Sequence, residues 1–122
     1  MARVLVVDDS PQVRALVRMT LALEGHEVLE AAEAVTAWQV MIAHQPDVVI
    51  LDVTMPAVNG LDLCRAMRDD PELGAMPVIV LTGRGLPDDE ATAIGAGADH
   101  FLAKPFSPKH LIAAVNGLAG EA

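Results

Sequence analysis

The sequence predicts an α/β domain built on a doubly wound, five-stranded parallel sheet with five helices. Short continuous runs of β-branched and aliphatic residues, typical of strands buried on both faces, alternate with longer segments of helical period. The strands are predicted at residues 3–7, 27–30, 48–51, 78–81 and 101–103, and the helices at 11–24, 34–43, 61–68, 88–94 and 108–118. The length of 122 residues fits one such domain and leaves no room for a second.

Local signals mark the ends of two of the helices. Ser10 followed by Pro11 predicts an N-cap with proline at the first position of the first helix. Gly25 is predicted to end that helix because glycine tolerates a positive φ, and Gly95 and Gly97 are predicted to end the fourth helix.

Composition limits the classes of function. Hydrophobic residues make up 52% of the chain, which indicates a well-buried core in spite of a net charge of -9. The aromatic residues are Trp38, Phe101 and Phe106 alone, so very few side chains could stack on nucleic-acid bases. Because an acidic chain also repels phosphate backbones, direct binding of nucleic acid is not expected.

The chain shows no sequence feature of export or membrane insertion. The N-terminus lacks a long apolar segment with a basic flank, and no stretch approaches the roughly 20 apolar residues that span a bilayer. We therefore expect a cytoplasmic protein without membrane contact. Cys64 is the only cysteine, which excludes an intrachain disulfide and a cysteine-based metal site, and the four histidines show no ligand spacing.

Polar side chains follow four of the predicted strands at the point where each strand ends. They are Asp8 and Asp9 after the first strand, Asp52 after the third, Thr82 after the fourth and Lys104 after the fifth. Parallel strands would bring all five to one edge of the sheet, where open α/β sheets bind ligands. The sequence therefore predicts a functional site at that edge.

The residue types at this edge favour phosphoryl transfer. Three carboxylates held close together repel one another unless protons or a cation neutralise them, and Mg²⁺ prefers oxygen ligands of this kind together with phosphate oxygens. Lys104 adds a positive charge and Thr82 a hydroxyl group. A carboxylate can attack phosphorus to form an acyl phosphate while the metal and the lysine neutralise charge on the phosphoryl oxygens.

Over essentially its full length the chain resembles the receiver domain of two-component response regulators, of the stand-alone kind related to the chemotaxis receiver. The resemblance rests on four motifs in the family's order and spacing, namely Asp8-Asp9, Leu51-Asp52-Val53-Thr54-Met55-Pro56, Leu81-Thr82-Gly83 and Lys104-Pro105-Phe106. It implies a receiver domain over residues 1–122 with a flavodoxin-like fold and strand order 2-1-3-4-5. It also implies a phosphorylation-controlled signalling switch and not a turnover enzyme.

The resemblance implies separate roles for the acidic residues. Asp52 is the implied phosphoacceptor. Asp9, Asp52 and the backbone carbonyl of Thr54 are the implied Mg²⁺ ligands, and Asp8 is implied to reach the ion through water.

Three further residues are implied to respond to the phosphoryl group. Lys104 would pair with it, Thr82 would bond one of its oxygens, and Phe101 would swing inward behind Thr82. In similar proteins this coupled movement repacks the surface formed by the fourth helix, the fifth strand and the fifth helix. The Lys104-Pro105 bond is cis in similar proteins and is expected to be cis here.

The implied partners are a histidine kinase or phosphotransfer protein, which supplies the phosphoryl group, and a downstream protein target. In similar proteins the donor docks on the start of the first helix, here Val13 and Leu16, and on the loop at Pro105 and Phe106. An alternative for the apolar flank of this helix is packing against the fifth helix; this alternative is preferred for Leu23 and stays open for Val13 and Leu16.

The oligomeric expectation is a monomer or a weak dimer that depends on phosphorylation. The implied output is contact with a protein and not with DNA or a membrane. A domain cut from a longer regulator would show the same sequence pattern.

Two other classes compete with the switch. A haloacid-dehalogenase-like phosphatase needs a second carboxylate two residues after its nucleophile, where this chain has Thr54. A flavodoxin-like cofactor carrier binds a phosphate through a hydroxyl-rich and glycine-rich first loop, but residues 7–10 are acidic here and flavin-stacking aromatics are nearly absent.

Overall fold

The structure is a computed structural model that describes residues 1–53, 59–83 and 89–120, with the side chains of residues 89 and 90 excepted. Strands and helices alternate in these ranges: β1 Arg3–Val7, α1 Pro11–Ala22, β2 Glu27–Ala31, α2 Ala34–His44, β3 Val48–Asp52, α3 Gly60–Asp69, β4 Val78–Thr82, α4 Asp89–Gly95, β5 His100–Ala103 and α5 Pro108–Ala119. The predicted fold class is confirmed. In the described part of the chain, no helix is both long and apolar enough to cross a membrane.

The five strands form one parallel sheet in the order β2-β1-β3-β4-β5, as the resemblance implied. The register pairs Val7 with Leu51, Asp52 with Leu81, and Thr82 with Ala103. The carboxyl ends of β1, β3, β4 and β5 consequently lie along one edge of the sheet. This edge carries the polar residues that the sequence singled out.

Apolar layers cover both faces of the sheet, which explains why the strands are continuous apolar runs and not alternating ones. Leu5 and Val7 face the layer that contains α2, α3 and α4, while Val4 and Val6 face the layer that contains α1 and α5. Every residue of β3 and β4 is buried. With both faces covered, the sheet exposes its functional groups at the strand ends.

The start of α1 follows the sequence prediction, and its end differs slightly. The Ser10 hydroxyl accepts a hydrogen bond from the Val13 backbone N–H at 3.2 Å, and Pro11 is the first helical residue. The helix ends at Ala22 and not at residue 24, and Gly25 adopts a φ of +83° in the turn that follows.

The outer face of α1 corrects one expectation. Val17, Thr20 and Leu21 are buried against the sheet. Leu23, which was expected to pack against α5, is 86% exposed, because at helical spacing it falls with the exposed Leu16 and Met19 on the side of α1 turned away from the sheet. That packing prediction was wrong.

One arginine ties the loops at the amino edge of the sheet to α3. The Arg68 guanidinium donates to the carbonyl oxygens of Gly97 at 2.8 Å, Met76 at 2.7 Å and Gly74 at 3.2 Å. It also donates to the Asp99 carboxylate at 2.9 Å, and that carboxylate accepts from the first backbone N–H of β4. Arg68 therefore fixes the entries to both β4 and β5.

We expect Arg68→Ala to lower the free energy of unfolding by about 2–3 kcal/mol, because several carbonyl groups lose a charged donor at once. The matched control is Arg65→Ala on the same helix, which removes a single exposed bridge to Asp62 and should cost about 0.5 kcal/mol or less. Urea unfolding, followed by the fluorescence of the sole tryptophan, Trp38, measures both variants. Equal losses in the two variants would contradict the role given to Arg68.

Candidate functional site

Three carboxylates meet at the carboxyl edge of the sheet. Asp8, Asp9 and Asp52 each offer an oxygen, and these oxygens all lie within 4.8 Å of one another. Asp8 and Asp52 are 0% and 1% exposed, whereas Asp9 is exposed. The adjacency of β1 and β3 creates this cluster, so the predicted meeting of the carboxylates is confirmed as geometry.

A lysine that follows β5, the last strand in the sheet order, neutralises part of this charge. Lys104 Nζ donates to Asp8 Oδ2 at 2.9 Å and to Asp52 Oδ1 at 3.1 Å. The Lys104 backbone N–H donates to the Thr82 carbonyl at 2.7 Å, which anchors the lysine to the end of β4. The Lys104-Pro105 bond is cis, as expected.

The charges in the cluster influence one another. Burial raises the pKa of Asp8 above its ordinary value, and the nearby Asp52 carboxylate acts in the same direction, while hydrogen bonds from Ser10 and Lys104 act against it. Burial alone would lower the pKa of Lys104, but its hydrogen bonds to Asp8 and Asp52 and their charges outweigh burial and raise that pKa. The lysine is therefore held firmly in its ammonium form.

Thr82 brings a hydroxyl group to the same edge from β4. Its side chain is buried, and in the described part of the chain Oγ1 has no hydrogen-bond partner. A buried hydroxyl without a partner costs about 1–3 kcal/mol. This orphaned group fits an edge that binds an additional polar ligand.

The donor set also fits the metal that the sequence predicted. Mg²⁺ is commonly bound through one or two carboxylates together with phosphate oxygens and water, and the cluster offers three carboxylates, one of them open to solvent. Thr54, whose carbonyl was an implied ligand, lies outside the described residues.

The predicted switch and docking residues lie on both sides of this edge. Phe101 is half-buried against the core layer of α2, α3 and α4. Val13 and Phe106 are half-buried against the opposite layer, and Leu16, which is 47% exposed, and Pro105 lie on the surface. Val13 packs on the core and Leu16 is largely exposed, and docking of a donor on either residue stays a prediction.

Two residues that the sequence reasoning missed contact the main chain of the clustered aspartates. The Arg14 guanidinium donates to the Asp8 carbonyl at 2.7 Å. Gly60, the first residue of α3, approaches the end of β3 so closely that a Cβ atom there would overlap the Asp52 carbonyl oxygen. A glycine at the first position of a helix is the only signal that could have indicated this approach.

A sequence profile of the family described as response regulator receiver domain matches residues 4–116. This chain belongs to that family. Receiver domains are signalling modules, and the phosphorylation-controlled switch predicted from the sequence fits the family. Membership favours the switch over the phosphatase and the cofactor carrier.

Individual proteins agree with the family assignment. The DNA-binding dual master transcriptional regulator RpaA of Synechocystis is 33% identical over 97% of this chain and 49% of its own length. A solved structure from Chloroflexus aurantiacus, described as a response regulator, has a TM-score of 0.94 and 32% identity over 98% of both chains. The chemotaxis protein CheY4 of Vibrio cholerae has a TM-score of 0.89 and 34% identity over 97% of this receiver and 98% of its own chain.

The share of each protein that is matched differs between the two kinds of relative. This receiver spans about half the length of the curated relatives it matches. It spans nearly all of the CheY4 chain, which supports the resemblance to the chemotaxis receiver.

We expect Gly60→Ala to destabilise the receiver by about 1–3 kcal/mol, because the added methyl group must displace backbone at the end of β3. Gly83→Ala is the matched control at the same edge of the sheet, since a Cβ atom there meets nothing within 4 Å among the residues that the structure describes. Urea unfolding compares the two variants. A loss at Gly83 as large as that at Gly60 would refute the close approach to Asp52.

Proposed function

We propose that this receiver accepts a phosphoryl group on Asp52 in a Mg²⁺-dependent reaction and transmits the modification to a partner protein. The observation that carries the proposal is the bridge from Lys104 Nζ to Asp8 and Asp52, at 2.9 and 3.1 Å, within a cluster of three carboxylates. A nucleophile, a metal-type donor set and a fixed cation occupy one small volume there. Family membership supports the same reading.

Asp9 and Asp52 would hold the ion directly and Asp8 through water, and the Thr54 carbonyl remains a predicted ligand. When bound, Mg²⁺ supplies positive charge that offsets the carboxylates and the phosphoryl oxygens. Asp9 is the exposed member of the set, so incoming ligands meet it first.

The transfer itself uses residues of the receiver. A carboxylate oxygen of Asp52 would attack phosphorus, the bond from phosphorus to the donor's imidazole nitrogen would break, and an acyl phosphate would form. Lys104 would keep its proton and pair with the phosphoryl oxygens. The Thr82 hydroxyl, which has no partner in the described chain, would donate to one of those oxygens. The receiver would thus promote its own modification without turning over as an enzyme.

The output would begin with Thr82 and Phe101. If the Thr82 hydroxyl turns toward a phosphoryl oxygen, the half-buried Phe101 on neighbouring β5 can move inward behind it. We infer that this repacks the surface of α4, β5 and α5, where a downstream protein would bind. A monomer or a weak phosphorylation-dependent dimer remains the predicted assembly.

The phosphoryl donor would be a histidine kinase or phosphotransfer protein. Leu16 and Pro105 are exposed, and Val13 and Phe106 are half-buried against the layer of α1 and α5, which supports a docking surface that combines exposed and anchored apolar groups. RpaA is described as DNA-binding, but this receiver corresponds to only 49% of that protein. For this chain, output through protein contact, without nucleic-acid or membrane binding, and a cytoplasmic location stay predictions.

Incubation with Mg²⁺ and a small acyl-phosphate donor should add one phosphoryl group to the wild type and none to Asp52→Asn. Intact-mass measurement detects the adduct directly. Asp62→Asn makes the same substitution at an exposed carboxylate, so it is the matched control and should be labelled like the wild type. An unlabelled wild type, or equal labelling of Asp52→Asn, would overturn Asp52 as the acceptor.

Mg²⁺ should stabilise the wild type even without a phosphoryl donor. Free ion at about one hundred times its dissociation constant adds about 2.7 kcal/mol to the free energy of unfolding. Asp9→Asn should lose most of this gain. Glu72→Gln, which removes the same charge from an exposed residue outside the cluster, should retain it. Thermal unfolding with and without Mg²⁺ makes the comparison, and identical gains in both variants would exclude Asp9 as a ligand.

A further inference from the structure

A chain of charged side chains leads from the outer strand of the sheet to the backbone of the acidic loop. Arg14 Nη1 donates to the Asp8 carbonyl oxygen at 2.7 Å, and Arg14 Nε donates to Glu30 Oε1 at 3.2 Å. Arg18 Nη1 donates to the other oxygen of Glu30 at 2.7 Å. Arg14 thus joins α1, β2 and the acidic loop.

Arg14 completes the fixation of Asp8. The Asp8 backbone N–H donates to the Ala31 carbonyl at 3.1 Å, and Asp8 Oδ1 accepts from the Ser10 backbone N–H at 2.9 Å. Arg14 holds the third polar group of this residue, its carbonyl oxygen. The amide, the side chain and the carbonyl of Asp8 are each held by a different neighbour.

The position of Asp9 depends on the same contact. A peptide unit is planar, so the direction of the Asp8 carbonyl fixes the nitrogen and the start of the Asp9 backbone. Within the described residues, no side chain donates to the exposed Asp9 carboxylate. The backbone must therefore place this carboxylate near Asp8 and Asp52.

The charge balance of the network suits this task. Hydrogen bonding from Arg18, and to a lesser extent from Arg14, lowers the pKa of Glu30, so that its carboxylate is charged at neutral pH. The Arg14 charge is consequently paired with Glu30, and its side chain is only 19% exposed. Arg14 supplies a strong donor to the loop without adding an unpaired cation to a site that binds one.

We propose that Arg14, braced by Glu30, is a positioning residue that sets the orientation of the Asp8–Asp9 peptide and thereby the Mg²⁺ affinity of the cluster. This inference rests on the proposed function, since it takes Asp9 as a ligand. Replacing a group that hydrogen-bonds to a metal ligand and orients it typically lowers metal affinity by about 10–100-fold. Arg14 acts here on the main chain of Asp8, and within the described residues its guanidinium donates to none of the three clustered carboxylates.

The test is a calorimetric titration of the unphosphorylated 122-residue chain with MgCl₂, paired with urea unfolding of the same samples. Arg14→Ala should weaken Mg²⁺ binding by about tenfold or more. Arg18→Ala is the matched control, because within the described chain its guanidinium donates to Glu30 alone. It should shift Mg²⁺ affinity by less than about twofold, in keeping with an exposed ion pair.

Variants of the brace separate positioning from folding. Glu30→Gln keeps an acceptor for Arg14 but removes the charge, and we expect a smaller loss of Mg²⁺ affinity than in Arg14→Ala. Arg14→Lys can reach one partner at a time and should recover affinity only in part. If Arg14→Ala and Arg18→Ala lose the same stability but only Arg14→Ala loses affinity, positioning is supported; if affinity follows unfolding stability across all variants, it is overturned.

The outcome is distinguishable from a failure of the proposed function. Wild type that binds Mg²⁺ and becomes phosphorylated on Asp52, together with Arg14→Ala that binds Mg²⁺ equally well, would refute Arg14 and leave the switch intact. Wild type that binds no Mg²⁺ would refute the metal site itself.

Discussion

The site depends on the paired hydrogen bonds from the Lys104 ammonium group to Asp8 and Asp52. Two carboxylates that are almost fully buried lie against each other at the ends of adjacent strands, and such a pair is costly without a compensating charge. Lys104 bridges both at hydrogen-bond distance and arrives from β5, two strands away from β3. Because its backbone is anchored to Thr82, the same loop that neutralises the acids is tied to the strand carrying the orphaned hydroxyl.

This arrangement requires the parallel sheet. Only parallel strands bring the ends of β1, β3, β4 and β5 to one edge, and only a sheet covered on both faces leaves that edge as the place for polar chemistry. Arg68 secures the opposite edge by fixing the entries to β4 and β5. The two ends of these strands therefore have different tasks: one end is tied down by an arginine, and the other carries groups that can respond to a ligand.

Much of the fold and the site could be predicted from the sequence because the responsible signals are local. Apolar runs gave the strands to within a residue at each end, and strand-end residues such as Asp52 and Thr82 gave the site. What escaped prediction depends on three-dimensional contact. Arg14 looks like an ordinary helix arginine until its reach to the Asp8 carbonyl is seen. The apolar arc of α1 is wider than the face that packs on the sheet, and only the structure shows that Leu23 falls outside that face.

Some polar groups of the site have hydrogen-bond partners within the protein and others do not. Asp8 and Asp52 are compensated by Lys104, but Asp9 has no donor and the Thr82 hydroxyl no partner within the described residues. The exposed Asp9 carboxylate is hydrated, so the cost falls on the buried Thr82 hydroxyl, which a chain selected for stability alone would satisfy or replace. In the proposed function, a cation at Asp9 and a phosphoryl oxygen at Thr82 would supply the missing partners. Since Thr82 lies on the strand beside β5, and β5 contributes to the layer of α1 and α5, the proposed contact of Thr82 with a phosphoryl oxygen would make ligand binding and surface change parts of one equilibrium.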